Sequence, residues 1–213
     1  MDNYSCYQAL KDHEQQDRDY VLLTREGRSQ LIVIAPHGGG IEPGTVDIAD
    51  ALAGKEHNFY AFKGIKKQGN SILHITSTQF DEPRGLAMIG SCDWVVAIHG
   101  HHSMDSIVII GGRDRLHGED IRLALQDAGV RARWSRRPGT QGSHPDNICN
   151  RGRKGQGVQL EFSRGLRHQM FQNLDNRLLR QKTNVFYGVV HALKDVLSRI
   201  PVLDQVVRAG SLL

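Results

Sequence analysis

Three short, unbroken apolar runs constrain this chain more than any other feature: Leu31 to Ala35, Trp94 to Ile98 and Ile107 to Ile110. Each has strand length and is apolar at every position, the pattern of a strand covered on both faces rather than one. Between them lie segments with helical spacing, and alternation of strand and helix argues for βα units and a mostly parallel sheet. We therefore expect an α/β fold, a mixed but mostly parallel sheet flanked by helices, in a single domain spanning residues 1–213. Further strands are expected at Asp19 to Thr24, as an edge, and at Asn58 to Phe62, Ile72 to Ile75, Val130 to Trp134 and Val158 to Phe162. Helices are expected from Pro43 to about Leu52, from Pro83 onward, from Asp114 to Ala128, and as two helices after Phe162, the last over Thr183 to Arg199. In the Asp114 helix, Leu116, Ile121, Leu123 and Leu125 are assigned inward; in the last, Val185, Val189, Leu193, Val196 and Ile200 form one stripe. Residues 135–157 carry Arg, Gly, Pro, Ser and Asn without an apolar period, and a loop of that length in a compact domain is usually functional.

Two of the strands end in chemistry. Leu31 to Ala35 runs into Pro-His37-Gly-Gly-Gly-Ile-Glu42, where glycines let the backbone turn tightly enough for the imidazole and carboxylate to share one point. Trp94 to Ile98 runs into His99-Gly-His101-His102. In open α/β sheets function gathers at the carboxyl ends of strands, and two imidazoles with one carboxylate are a catalytic zinc set with one position left for water. His37, Glu42 and one of His99, His101 and His102, with His99 favoured because it sits where the strand ends, are thus the expected ligands of one zinc ion per chain. Glu161 faces away from Val158, Leu160 and Phe162, and a carboxylate inside an apolar strand must be paired, metal-bound or used. It is the candidate general base and proton donor. Asn150 and Arg151 offer an amide and a forked cation suited to a carboxylate or a developing oxyanion, so Arg151 is a second candidate catalytic residue, and Asn150, Arg151, His74 and His101 are the candidate substrate contacts.

The net charge of +4 is unevenly placed, with Arg131, Arg133, Arg136, Arg137, Arg151, Arg153 and Lys154 in one stretch. Such a segment attracts a polyanion, either a polycarboxylate or nucleic acid. No recognised nucleic-acid-binding motif accompanies it, and the GxxxxGK[ST] and GxGxxG spacings are missing, so nucleotide and nucleic-acid readings rank below a metal hydrolase. No GxSxG elbow supports a serine triad. No apolar stretch approaches the ~20 residues that span a bilayer, so no membrane partner is expected. The Met1 to Cys6 start has no basic head before an apolar segment, so synthesis in the cytoplasm is expected, with release by lysis leaving no mark. The three scattered cysteines read as free thiols, with Cys149 assigned to buried packing.

The segments His37-Gly-Gly-Gly-Ile-Glu-Pro-Gly-Thr45, Leu73 to Pro83, Ala97-Ile-His-Gly100, Asp146 to Arg151 and Gly157-Val-Gln-Leu-Glu-Phe-Ser163 together resemble the phage poly-γ-glutamate hydrolases, a family that also includes bacterial proteins labelled phage-related replication proteins. The resemblance runs in order from about residue 19 to 200. It implies a zinc-carboxypeptidase-like fold, hydrolysis of γ-linked glutamyl amides, His37, Glu42 and His99 as zinc ligands and Glu161 as the acid/base. The expected partner is then an anionic polymer or peptide substrate. A zinc peptidase or deacylase acting on a small N-acyl amino acid is the alternative with the same metal, and a basic nucleic-acid-binding protein without catalysis is the rival from another class.

Overall fold

The structure, a computed structural model, describes residues 2–200. Its elements in chain order are α1 (Tyr7–Lys11), β1 (Tyr20–Arg25), β2 (Leu31–Gly39), α2 (Thr45–Ala53), β3 (Asn58–Gly64), α3 (Pro83–Gly90), β4 (Trp94–His101), β5 (Val108–Gly112), α4 (Arg115–Asp127), β6 (Ala132–Trp134), β7 (Val158–Ser163), α5 (Arg164–Met170), β8 (Phe171–Gln172), β9 (Gln181–Lys182) and α6 (Asn184–Leu197). Seven strands form one sheet in the order β1-β3-β2-β4-β7-β5-β6. The central strands β3, β2, β4 and β7 are parallel. β1 closes one edge antiparallel to β3, and β5 pairs antiparallel with β7 while running parallel to β6. The mixed, mostly parallel sheet expected from the sequence is the one found.

Strict alternation along the strands divides the core in two. Leu31, Val33 and Ala35 of β2, with Val96 and Ile98 of β4 and Val158, Leu160 and Phe162 of β7, pack against α2, α4, α5 and α6. The opposite residues, Ile32, Ile34, Val95 and Ala97, pack with Leu10, Phe80 and Ile89 beneath α1 and α3. On this second face the apolar layer covers β1, β3, β2 and the start of β4. Beyond it Gln159 and Glu161 of β7, Ile109 of β5 and Arg133 of β6 project from a face roofed by the irregular segment 138–147 instead of a helix.

Several expectations shift. Ile72–Ile75 is not a strand: Gly69 turns the chain and Asn70–Leu73 closes a single 3₁₀ turn, leaving His74 in extended backbone after it. α2 starts at Thr45, after Pro43 and Gly44 rather than on them. The expected strand from Val130 is only Ala132–Trp134, because Val130 still closes the end of α4 through its N–H to the Leu125 carbonyl. Leu116 and Leu123 of α4 are exposed rather than inward; Gly118, Ile121 and Leu125 form the buried side, with Trp134 packed so closely over Gly118 that a Cβ would not fit. Val185 is likewise exposed, and Phe186, Val190 and Leu197 join Val189, Leu193 and Val196 on the buried side of α6. Short α1 and the β8–β9 hairpin were not foreseen. No helix among the described residues is long and apolar enough to cross a membrane.

Candidate active site

The site forms where β2, β4 and β7 end. β2 loses its regular pairing with β3 between Ala35 and Gly38, which swings His37 out of the ladder. Gly38 follows with Val46 so near that a Cβ would lie 2.3 Å from its methyl, and Gly39 takes φ +69. These positions therefore exclude larger residues and let the Glu42 N–H return to the His37 carbonyl at 2.9 Å. The imidazole and the carboxylate are thereby brought to one point. His37 Nδ1 lies 3.3 Å from Glu42 Oε1 and 3.1 Å from His99 Nδ1, and His99 Nδ1 is 3.9 Å from Glu42 Oε2.

All three side chains offer a ligand atom within 4.8 Å of the others. Two donors ~2.0–2.1 Å from a tetrahedral zinc stand about 3.3 Å apart, so the set fits such an ion. The tautomer of His37 agrees: Nε2–H donates to the Ile75 carbonyl at 2.8 Å, which leaves the Nδ1 lone pair facing the other donors. The His99 ring turns Nδ1 toward His37 and Glu42, while its Nε2 is buried without a hydrogen-bond partner.

Glu161 stands on β7 directly beside His99, its register partner. Gln159 donates to Glu161 Oε1 at 3.0 Å and accepts from the Asn147 amide at 2.9 Å, so a chain of amides fixes the carboxyl in place. Burial, reinforced by the nearby Glu42 charge, pushes its pKa up to about 8. Burial also opposes ionisation of Glu42, but His37, His99 and the Gly100 N–H at 2.7 Å hold its pKa below the usual value. For His37 the cost of burial is outweighed by Glu42, and its pKa rises; burial and the His37 charge push His99 down to about 3. The two carboxyl groups of the cleft are thus shifted in opposite directions, Glu42 down by its imidazole neighbours and Glu161 up by burial.

The cleft has a volume of about 630 Å³. His74 lies in its wall, with its ring 4.0 Å from that of His37 and its Nδ1 hydrogen-bonded to Asp2 at 2.8 Å. His101 does not enter it. It lies two residues beyond His99 on the same face of β4 and lines a neighbouring cavity. Asn150 is buried, but its amide donates to the carbonyls of Gly142 and His144 and its oxygen accepts from Arg113 and Gly157, so it ties the loop rather than facing the cleft. Arg151 is exposed and outside the cleft lining. The structure therefore does not bring Asn150 or Arg151 to the reacting groups. Nor do the basic residues form one surface, because Arg153 pairs with Asp93 and Lys154 lies over the Trp94 ring at 3.7 Å, away from Arg131, Arg133 and Arg137. Cys149 is buried and its thiol is pushed well up by burial.

One important residue has no signal in the sequence. Arg167 of α5 is buried and donates to three carbonyls, Phe162 at 3.1 Å, Pro43 at 2.8 Å and His101 at 3.1 Å. It binds together the ends of β7 and β4 and the turn that carries Glu42. Only its helical position among basic neighbours was visible beforehand. The Asp2–His74 pair was equally hidden, since 72 residues separate its members.

Comparison with known proteins places this geometry. The model of the poly-gamma-glutamate hydrolase family matches residues 4–192. This chain belongs to the poly-γ-glutamate hydrolase family. Among solved structures, a bacteriophage poly-γ-glutamate hydrolase is 31% identical and superposes with a TM-score of 0.88, covering 93% of this chain and 97% of that one. A zinc-free apo form of YndL is 38% identical with a TM-score of 0.87, covering 93% and 98%. By sequence, YndL of Bacillus subtilis (strain 168) is 42% identical over 171 residues, which are 80% of this chain and 67% of YndL. The SPbeta prophage-derived YoqZ of the same strain is 39% identical over 171 residues, 80% of this chain and 62% of YoqZ. The chain therefore spans about two thirds of the length of these curated relatives. Membership of the poly-γ-glutamate hydrolase family and the shared fold indicate a hydrolase of that kind.

Proposed function

We propose that the chain is a zinc-dependent hydrolase of γ-glutamyl amide bonds in an anionic poly-γ-glutamate, holding one zinc through His37, Glu42 and His99. The observation that carries this reading is the convergence of those three donors beside Glu161 at the ends of three parallel strands. When bound, the zinc would supply a Lewis acid for the scissile carbonyl and lower the pKa of water in the site. Glu161 accepts the proton of the attacking water, and the same carboxyl then delivers it to the leaving nitrogen as the C–N bond breaks, leaving a carboxylic acid and an amine. Gln159 and Asn147 keep that carboxyl aimed at the cleft throughout. The Ile75 carbonyl and the Gly100 N–H do the same for His37 and Glu42. The zinc-free YndL structure supports the choice of metal by kinship.

The test is elemental analysis of protein purified without added metal, joined to polymer length followed over time with and without a chelator. About one zinc per chain is expected. His37→Ala and His99→Ala lose it, and His102→Ala keeps it. Stoichiometric zinc in His37→Ala overturns the ligand set, and unchanged polymer with folded, zinc-loaded protein overturns the substrate.

A further inference from the structure

We propose that the cavity next to the metal cleft, walled by His101, Arg131, Arg133, Ser135, Arg137 and Thr140, is a carboxylate-binding subsite that holds an acidic unit of the polymer adjacent to the one being cleaved. This rests on the polyanionic substrate proposed above and adds the place where its charge is read.

The sheet itself links the two sites. Register pairs His99 with Glu161, Glu161 with Ile109 and Ile109 with Arg133. These four residues form one row across β4, β7, β5 and β6 and project from the same face, since side chains paired across neighbouring strands share a face. The row begins at a metal ligand and ends, three strand spacings or about 15 Å away, at a guanidinium. Segment 138–142 stands between the two sites, with Thr140 facing the smaller cavity of about 320 Å³ and Gly139, Gln141 and Gly142 facing the cleft. That wall is built: the Gly112 N–H donates to the Gln141 carbonyl at 2.7 Å, and the Ser135 and Thr140 hydroxyls meet at 2.6 Å.

The lining has more donors than the fold uses. Among the described residues no ion pair engages Arg131, Arg133 or Arg137, and Arg133 has only a long bond of 3.4 Å to the Trp134 carbonyl. Asp105 is the single acid in the wall, and it takes a hydrogen bond from Ser103. The Ser103 N–H donates to His101 Nδ1 at 3.2 Å, which in the neutral ring puts the proton on Nε2 and makes that nitrogen a donor. Three guanidinium forks, an imidazole N–H and two hydroxyls around one cavity match a carboxylate in charge and in geometry.

The test compares wild type, Arg133→Gln/Arg137→Gln and a distant control, Arg84→Gln on α3, as zinc-loaded protein on poly-γ-glutamate. It adds equilibrium binding of a fluorescent γ-linked hexaglutamate and its α-methyl ester, measured in a Glu161→Gln background so that the oligomer is not consumed. Loss of two charge-assisted contacts should raise KM and Kd for the acid about tenfold or more, with kcat within about twofold. Wild type should bind the ester weakly, and the double variant should gain nothing from the free acid. A KM and Kd within about twofold of wild type in the double variant, equal losses in Arg84→Gln, or duplex DNA displacing the oligomer as readily as unlabelled hexaglutamate would each overturn the subsite. If the hexaglutamate binds through Arg133 and Arg137 but the polymer is never shortened, the subsite stands and the proposed reaction falls.

Discussion

At Gly100 a Cβ would lie 2.8 Å from the Arg167 guanidinium carbon and 2.9 Å from the Glu42 Cβ. The residue that separates His99 from His101 must therefore be bare, so that the Glu42 carboxylate can cross over its backbone and take its N–H. Gly100→Ala should displace Glu42 and weaken zinc affinity by about 10–100-fold, read by competition with a chelator, while the fold persists. Glu161→Gln should do the opposite, keeping the metal and losing turnover by about 10²–10⁴, because an amide cannot carry the proton. Turnover within tenfold of wild type would place the base elsewhere. His37, Glu42, His99 and Glu161 were legible because strand ends and the cost of a lone carboxylate in an apolar strand single them out locally. Arg167 and Asp2 act through contacts with distant segments, and no local pattern marks an arginine that spends its donors on three carbonyls. Asn150 and Arg151 show the reverse side: residue chemistry suggested a substrate clamp, while the structure spends the Asn150 amide on its own loop and leaves Arg151 exposed outside the cleft lining.

Glu82 shows how an element is secured where the site needs it firm. Its carboxylate accepts from the Arg84 and Gly85 N–H groups at 3.0 and 2.7 Å at the start of α3, and from the Tyr60 hydroxyl of β3 at 2.8 Å. Glu82→Ala removes a cap and leaves a buried hydroxyl without its acceptor, and should cost about 2–3 kcal/mol in a denaturant titration with little change in metal content. The Glu82-Pro83 start was readable from the sequence because caps are local. Strand existence was readable for the same reason, since β2, β4 and β5 announce themselves as apolar runs. Ile72–Ile75 misled because a short, mostly apolar stretch also suits a 3₁₀ turn, and Gly69 in the left-handed region starts that turn. Leu116 and Leu123 misled because an apolar side chain at helical spacing need not face a partner; Trp134 of β6 and the distant α6 determine which side of α4 is covered, and the pattern of the helix itself records neither.

Across the molecule, several histidines link folding to protons. Burial lowers the pKa of His57, whose Nδ1 meets the Ser29 hydroxyl at 2.7 Å, and the Lys194 charge adds to it. Below its ordinary value of ~6.5 the unfolded chain takes up a proton that the folded chain refuses, so this contribution is complete above ~6.5 and lost as pH falls through it toward the folded value. The thermal midpoint of metal-free protein should drop between pH 7 and 5, and His57→Gln should make that drop shallower; parallel curves would rule the linkage out. The proposed polymer hydrolysis should also weaken with salt, since exposed charges are screened over ~8–10 Å, whereas the buried side chains of His37 and His99 feel salt far less. The sheet order has a last consequence. β4 and β7 lie side by side, yet the chain spends residues 102–157 between them on β5, α4, β6 and the roofing loop before returning. His37, Glu42 and His99, the proposed metal donors, lie before this excursion, and Glu161, the proposed base, after it. Arg131, Arg133 and Arg137 lie within it, on and beside β6, which like β5 runs against β7. A change confined to this excursion would therefore remake the arginine-lined cavity and leave the strand ends that carry His37, Glu42, His99 and Glu161 as they are.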